Sequence, residues 1–260
     1  MQLHFYKYQG TGNDFIILDN RKEEYSGLST QQIHLLCNRR FGVGADGLML
    51  LNLIQEYDFE MKYYNADGLE GSMCGNGGRC LVKFAYHLGI HKSTYVFSAT
   101  DGRHEAEIDL YGTVSLKMGD VSEIKKYNGD LLLNTGSPHY IKMVNDIDKY
   151  DVFKSGRTIR YSDHFAQEGI NVNFVEQVGD DGIFVRTYER GVEDETLSCG
   201  TGVTAAAIAC FHNENGFNDV MVHTKGGRLN VEYNRNGKGI YTNVWLTGPA
   251  EKVYEGTMEI

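Results

Sequence analysis

Two cysteines stand in the same short context. Residues 74–77 read Cys-Gly-Asn-Gly and residues 199–202 read Cys-Gly-Thr-Gly, 125 residues apart in a chain of 260. Each copy follows a polar stretch and precedes a run with helical character. A helix N-terminus carries unpaired N–H groups and a partial positive charge. A glycine-rich start lets the backbone come close to a ligand, and such ends bind carboxylates or phosphates. The same field lowers a thiol pKa from ~8.5 toward neutrality. Each motif therefore predicts a reactive thiol beside an anion cradle. Two of them around one anion would let a thiolate take a proton from one side of a carbon while a thiol supplies one to the other. A carbon next to a carboxylate suits this best, because the cradled carboxylate takes up the developing charge. A lone Cys-Gly would read as a small buried hydrophobe; the duplication turns the reading toward chemistry.

The elements that must position these residues repeat as well. Phe59, Tyr63 and Glu70 match Phe184, Tyr188 and Glu195 at the same offset of 125. Thr11-Gly12 matches Thr135-Gly136 at 124, and Thr100-Asp101-Gly102-Arg103 matches Thr224-Lys225-Gly226-Gly227-Arg228 with one inserted residue. Matches in constant order indicate an internal duplication. The predicted domains are 1–117 plus 250–260 and 118–249, with the join within Met118–Asn134. Strands are predicted at the alternating N-terminus, Phe15–Leu18, Leu48–Ile54, Phe59–Tyr64, Tyr95–Ala99, Glu105–Leu110 and Tyr140–Val144. Helices are predicted over Leu28–Arg39 with Ser29 as cap, over Gly78–Leu88 stopped by Gly89, and over Val203–Phe211, apolar nearly all round and so buried. Many short strands around one buried helix per half predict an α/β chain of two similar halves, each a curled sheet wrapping its helix.

Bulk properties narrow the class. The chain is 41% hydrophobic with only 2 Pro, which describes a compact domain pair with real cores. A formal charge of −10 argues against a nucleic-acid surface. No run approaches the ~18–20 apolar residues of a membrane span, and the start lacks the basic and apolar regions of a signal peptide, so the cytoplasm is expected. Five cysteines without a Cys-x-x-Cys pair imply neither a disulfide framework nor a zinc site. Cys37, Cys80 and Cys210 read as interior packing. His87 and His91 are four apart, but Gly89 between them argues against a metal pair. No metal and no cofactor is expected, since no lysine is marked as a pyridoxal partner.

The chain resembles the diaminopimelate epimerase family. The signatures are Gly10-Thr11-Gly12-Asn13-Asp14-Phe15, Asn65-Ala66-Asp67-Gly68, Cys74-Gly75-Asn76-Gly77-Gly78-Arg79-Cys80, Tyr188-Glu189-Arg190-Gly191 and Cys199-Gly200-Thr201-Gly202, in family order through most of the chain. The resemblance implies two barrel-like α/β domains with the site in the cleft, and Cys74 and Cys199 as the two catalytic bases. It assigns the reacting carboxylate to the backbone of Gly75-Asn76 and Gly200-Thr201. Asn13, Asn65 and Asn171 would bond the substrate's amino and carboxylate groups. Arg190 would hold the distal carboxylate in two-point fashion, and Glu189 and His139 would lie beside the cysteines and tune their protonation, Glu189 also binding substrate. The implied partner is the small-molecule diaminopimelate, with no nucleic acid and no membrane; a homodimer is the expected assembly.

Two positions depart from the family pattern. A glutamine is replaced by Gly47 in Gly44-Ala45-Asp46-Gly47, and an asparagine before Pro-His by Ser137. Both would border the ligand, which leaves room for another amino acid, such as histidine, as the substrate of a racemase on the same scaffold. Arg190 weighs against that, because a distal carboxylate is what it would reward. A thiol redox protein and a non-catalytic amino-acid binding module are further alternatives. The second gives no reason for two cysteines, and the first no reason for two anion cradles.

Overall fold

Sheet period and glycine placement decide most of the first half. The computed structural model describes residues 1–179, 182–210 and 214–260, and the chain divides into Met1–Leu116 with Gly248–Ile260 as one unit and Lys117–Thr247 as the other. In the first unit β1 (Gln2–Gly10) alternates exposed and buried residues and turns through Thr11 and Gly12, both at positive φ, into antiparallel β2 (Asn13–Asp19). Helix α1 (Thr30–Cys37) follows, its Ser29 forming a capping box with Gln32. Then come β3 (Gly47–Asn52), parallel to β2, and antiparallel β4 (Phe59–Asn65). Helix α2 (Gly75–His87) leads to β5 (Thr94–Ala99), parallel to β4. Strands β6 (Gly102–Ile108) and β7 (Val114–Lys117) complete an antiparallel run. The C-terminal strand Glu251–Glu259 pairs with β1.

The sheet bends around α2, which touches β1, β2, β3, β4, β6 and the C-terminal strand. On the outer face Ile33, Leu36 and Cys37 of α1 pack on Ile16, Leu18, Leu48 and Leu50. Strands β2 and β3 are thus covered on both faces. That is why Phe15–Leu18 and Leu48–Leu51 are continuous apolar runs instead of alternating ones. Each such fully buried Leu or Ile stabilises the unit by about 1.5–3 kcal/mol.

The second unit repeats the order. A short strand β8 (Lys125–Tyr127) pairs with β9 (Asp130–Asn134), and β9 with β10 (Pro138–Met143). Helix α3 (Val152–Arg160) precedes β11 (Asn171–Val178), parallel to β10, and antiparallel β12 (Gly182–Glu189). After β13 (Asp194–Thr196) and α4 (Gly200–Cys210), β14 (Gly216–Thr224) runs parallel to β12. Strands β15 (Gly227–Arg235) and β16 (Tyr241–Gly248) close the series. Helix α4 touches β9, β10, β11, β12, β14 and β15, as α2 does its own strands.

Two predicted helix starts shift. Helices α2 and α4 each begin three residues earlier than predicted, immediately after Cys74 and Cys199. Glycine is a poor helix former, yet packing overrides propensity here: a Cβ on Gly77 would lie 3.1 Å from Met49 Sδ and one on Gly202 2.3 Å from Asn173 Oδ1. Phe211, the predicted end of the second buried helix, lies outside the described residues. Helix α3 carries Gly156 at its centre, which conceals it in the sequence; a Cβ there would lie 2.3 Å from Cβ of Tyr188. No helix among the described residues is long and apolar enough to cross a membrane.

Candidate active site

In the first half Cys74 is the N-cap of α2, with extended backbone at φ −99° and ψ 126°. Its carbonyl accepts the first helical bond, from Gly78 N at 2.7 Å. The N–H groups of Gly75, Asn76 and Gly77 therefore precede the helical ladder, the donors an anion would use. Cys74 Sγ donates to Asn13 Oδ1 at 3.6 Å, and Asn76 Nδ2 donates to the same oxygen at 3.4 Å. Asn13 Nδ2 donates to Asp46 Oδ2 at 2.6 Å. Asn13, Cys74 and Asn76 are thus brought together. Asn65 lies exposed at the end of β4, where its backbone closes a turn to Gly68 and Leu69.

Gly47 opens β3, and a Cβ there would lie 2.5 Å from the Tyr63 ring and 2.7 Å from Tyr64 O. The Tyr63 ring takes the space a longer side chain at 47 would need, which explains the glycine.

In the second half Cys199 is 7% exposed and its carbonyl accepts from Val203 N at 2.8 Å. Its sulfur lies 3.6 Å from Thr201 Oγ1, while Thr201 O accepts from Thr135 Oγ1 at 2.8 Å. Gly200 and Thr201 occupy the places of Gly75 and Asn76. Ser137 Oγ accepts from Asn171 Nδ2 at 2.9 Å and from Arg190 Nη2 at 3.2 Å, and Asn171 Oδ1 accepts from Arg190 N at 2.9 Å. Ser137, Asn171 and Arg190 therefore form one group. Arg190 Nη1 donates only to a carbonyl, that of Glu168, at 3.0 Å. No carboxylate among the described residues pairs with its guanidinium, which leaves its charge for an anion. Glu189 Oε2 accepts from Thr196 Oγ1 at 2.8 Å.

His139 is wholly buried, and burial, with Arg190 repulsion added, pushes its pKa down to about 3. The ring is neutral. Nδ1 lies 3.1 Å from Asn173 Nδ2, which can only donate, so Nδ1 accepts and Nε2 carries the proton. Asn173 is itself pinned, its Oδ1 accepting from Thr187 Oγ1 at 2.9 Å and its Nδ2 donating to Tyr140 O at 3.2 Å.

Asp46 and Arg79 stand in sequence motifs that assign them no role, and Asn173 and Thr187 stand in none. Asn173 and Thr187 share their strands with other polar residues, Asn171, Glu176 and Gln177 on β11 and Arg186 and Glu189 on β12, so strand composition does not single them out. Cys37, Cys80 and Cys210 are packing thiols, each pushed up to about 12 by burial. His87 ends α2 with Nδ1 2.5 Å from the Tyr8 hydroxyl, and no metal-binding group occurs among the described residues.

The diaminopimelate epimerase family model matches residues 5–124 and 131–253, one stretch for each half. The chain belongs to the diaminopimelate epimerase family. A diaminopimelate epimerase of Flavobacterium psychrophilum is 49% identical over 257 residues, covering 98% of this chain and all of that one. The diaminopimelate epimerase of Chlorobaculum tepidum is 42% identical, with 96% and 99% covered. Solved structures share the fold at low identity. A PhzF-family phenazine biosynthesis protein of Bacillus anthracis has a TM-score of 0.78 at 13% identity with both chains fully covered. A hydroxyproline epimerase of Agrobacterium vitis, solved with trans-4-hydroxy-L-proline, has a TM-score of 0.68 at 14% identity, with 98% and 92% covered. Family membership and these neighbours agree on a sheet-dominated α/β fold built by duplication, in an isomerase of the epimerase and racemase type.

Proposed function

We propose that this diaminopimelate epimerase family member converts LL-2,6-diaminopimelate to the meso form by moving one α-proton between two thiols. The observation that carries the reading is the matched pair of cysteines, each capping a helix whose first amides precede the ladder. One sulfur, as thiolate, takes the α-proton; the substrate carboxylate, held on the amides of Gly75-Asn76 and Gly200-Thr201, takes up the electron pair; the other sulfur, as thiol, returns a proton to the opposite side. Reversal exchanges the two roles. Asn13, Asn65 and Asn171 bind the reacting end, and Arg190 binds the distal carboxylate, supported by its Ser137 bond. His139 and Glu189 set the polarity around the sulfurs. The thiols do the proton transfer themselves, so the scheme calls on no cofactor. In the cell this is a cytoplasmic step toward lysine and cell-wall precursors, carried out by a homodimer.

The test is to incubate reduced, cofactor-free protein with LL-diaminopimelate in heavy water. Deuterium should enter one α-position as meso product appears. Cys74→Ser and Cys199→Ser should each lower turnover by on the order of 10³-fold or more, with the fold kept by circular dichroism. Near-normal turnover in either would remove the two-base scheme.

A further inference from the structure

Arg79 is fully buried and has no carboxylate partner among the described residues. An ion so placed costs several kcal/mol in desolvation. Its Nη1 donates to Gly75 O at 3.3 Å, and its Nη2 to Asn76 Oδ1 at 3.0 Å and Thr11 Oγ1 at 3.4 Å; Nε has no partner. The second half supplies an internal control. The residue 125 positions on is Thr204, equally buried, and its hydroxyl bonds Gly200 O at 3.0 Å. A threonine therefore suffices to cover the carbonyl after the cysteine. What the guanidinium adds is the reach to Asn76 Oδ1, and the equivalent of Asn76 in the second half is Thr201, which has no amide to orient.

The remaining bonds run in one direction. Asn76 Nδ2 donates to Asn13 Oδ1, and Asn13 Nδ2 donates to Asp46 Oδ2. A guanidinium only donates and a carboxylate only accepts, so the charges at the two ends fix the rotation of both amides between them. We propose that Arg79 and Asp46 are positioning residues for the epimerase reaction, acting through Asn76 and Asn13 to hold the Asn13 oxygen against the Cys74 sulfur. With that polarity the sulfur faces an acceptor and keeps its proton. With the Asn13 amide turned over, it would face an N–H donor that favours the thiolate. The inference rests on the thiol chemistry proposed above. The other charged and titratable groups of the cluster are Cys80 on α2, Lys7 on β1, Asp14 on β2, and Arg39, which joins Asp14 to Asp46; all are left in place by the test.

The variants are Asp46→Asn, Arg79→Lys and Arg79→Met in the full chain, read two ways. The first reading is kcat and KM with LL-diaminopimelate. The second is iodoacetamide alkylation of Cys74, followed peptide by peptide in a Cys199→Ser background; it needs no substrate and stands even if the substrate is another amino acid. Asp46→Asn should lower kcat/KM at least tenfold while raising Cys74 alkylation at pH 7 about threefold or more, since alkylation follows the thiolate. Arg79→Lys keeps the charge but not the fork and should lose about tenfold in kcat/KM. Arg79→Met frees the Asn76 amide but also removes a cation that favours the thiolate, so its alkylation should rise less than that of Asp46→Asn. Asp46 is 44% exposed, so its variant is expected to fold, and it decides the matter if an Arg79 variant does not. Folded Asp46→Asn with alkylation and kcat/KM both within twofold of the parent overturns the proposal.

Discussion

The two halves share a frame and differ in where they bury their polar groups. Strand pairings match one for one: β2 with β3 and β10 with β11 are parallel, β3 with β4 and β11 with β12 antiparallel, β4 with β5 and β12 with β14 parallel. The registers set Phe15 opposite Gly47 in one half and His139 opposite Asn171 in the other. They likewise set Met49 opposite Tyr63 and Asn173 opposite Thr187. Beneath α2 the strands thus offer Phe15, Met49 and Tyr63, and the helix itself buries Arg79. Beneath α4 they offer His139, Asn173 and Thr187, and the helix buries Thr204. Duplication copied a backbone that puts a cysteine at a helix start. Between helix and sheet the copies then differ: a guanidinium on α2 in the first, and three strand side chains with one threonine on α4 in the second. Two cysteines matched in position therefore sit in chemically different surroundings.

The sharpest way to break this comparison is to add one methyl group to each helix. A Cβ on Gly202 would lie 2.3 Å from Asn173 Oδ1, which Thr187, His139 and Tyr140 hold in place. A Cβ on Gly77 would lie 3.1 Å from Met49 Sδ and 3.4 Å from Met61 Cε, and methionine tips yield. Replacing glycine by alanine inside a helix returns ~1 kcal/mol of propensity. Gly77→Ala should therefore be nearly neutral, whereas Gly202→Ala should lose about 3 kcal/mol, as overpacking and a displaced buried hydrogen bond do. Urea midpoints of the two variants measure the difference; equal losses would show that the polar lining beneath α4 is no more rigid than the apolar one beneath α2.

The asymmetry also marks what the sequence made legible. The doubled Cys-Gly-x-Gly, the offset of 125 and the apolar runs of β2 and β3 gave the duplication, the buried helices and the cysteines, because local pattern encodes all of these. The glycines that begin α2 and α4 hid the true helix starts, since their reason is a neighbour distant in sequence. Asp46 and Arg79 stand inside sequence motifs, Gly44-Ala45-Asp46-Gly47 and the Cys74–Cys80 signature, that assign neither a role. They join Asn13 and Asn76 only when β2, the start of β3 and α2 are packed, which no spacing along the chain reveals. Gly47 read as a lost side chain, and the Tyr63 ring that occupies its space comes from the neighbouring strand β4.

Acid should unfold the halves in order. His139 falls from an ordinary 6.5 to about 3 in the folded chain because burial penalises its charged form. Below pH 6.5 the unfolded chain takes up a proton that the folded chain refuses, so stability falls as pH drops from there toward 3, by about 2 kcal/mol at pH 5. In the first half burial raises the pKa of Asp14, but hydrogen bonds and charge from Arg39 and Lys7 outweigh it and hold it at about 2. The stability it supplies is complete above an ordinary 3.8 and lost only as pH falls from there toward 2. Hydrogen exchange between pH 7 and 4.5 should show β10 and β11 losing protection while β2 and β3 keep it, and His139→Gln should flatten the loss.

The smallest contrast concerns the outer helices. Helix α1 is capped by neutral Ser29, which accepts from Gln32 N at 3.3 Å while Gln32 Oε1 accepts from Ser29 N at 3.0 Å. Helix α3 is capped by Asp151, which accepts from Lys154 N at 3.0 Å. Either cap changed to alanine should cost about 1 kcal/mol. The physics of the two losses differs. Ser29→Ala removes the hydroxyl's neutral hydrogen bonds to Gln32 N and Gln32 Oε1, which salt leaves alone, and keeps the backbone N–H bond to Gln32 Oε1. Asp151→Ala removes one bond together with an anion at the positive end of a helix, and that attraction is screened within ~3 Å at 1 M salt. Urea midpoints in 0.05 M and 1 M sodium chloride separate the two: the Asp151→Ala loss should shrink by a few tenths of a kcal/mol while the Ser29→Ala loss holds. A Ser29→Ala loss that shrinks equally would mean that salt acts on the unfolded chain, and that the outer helices are capped alike despite their different residues.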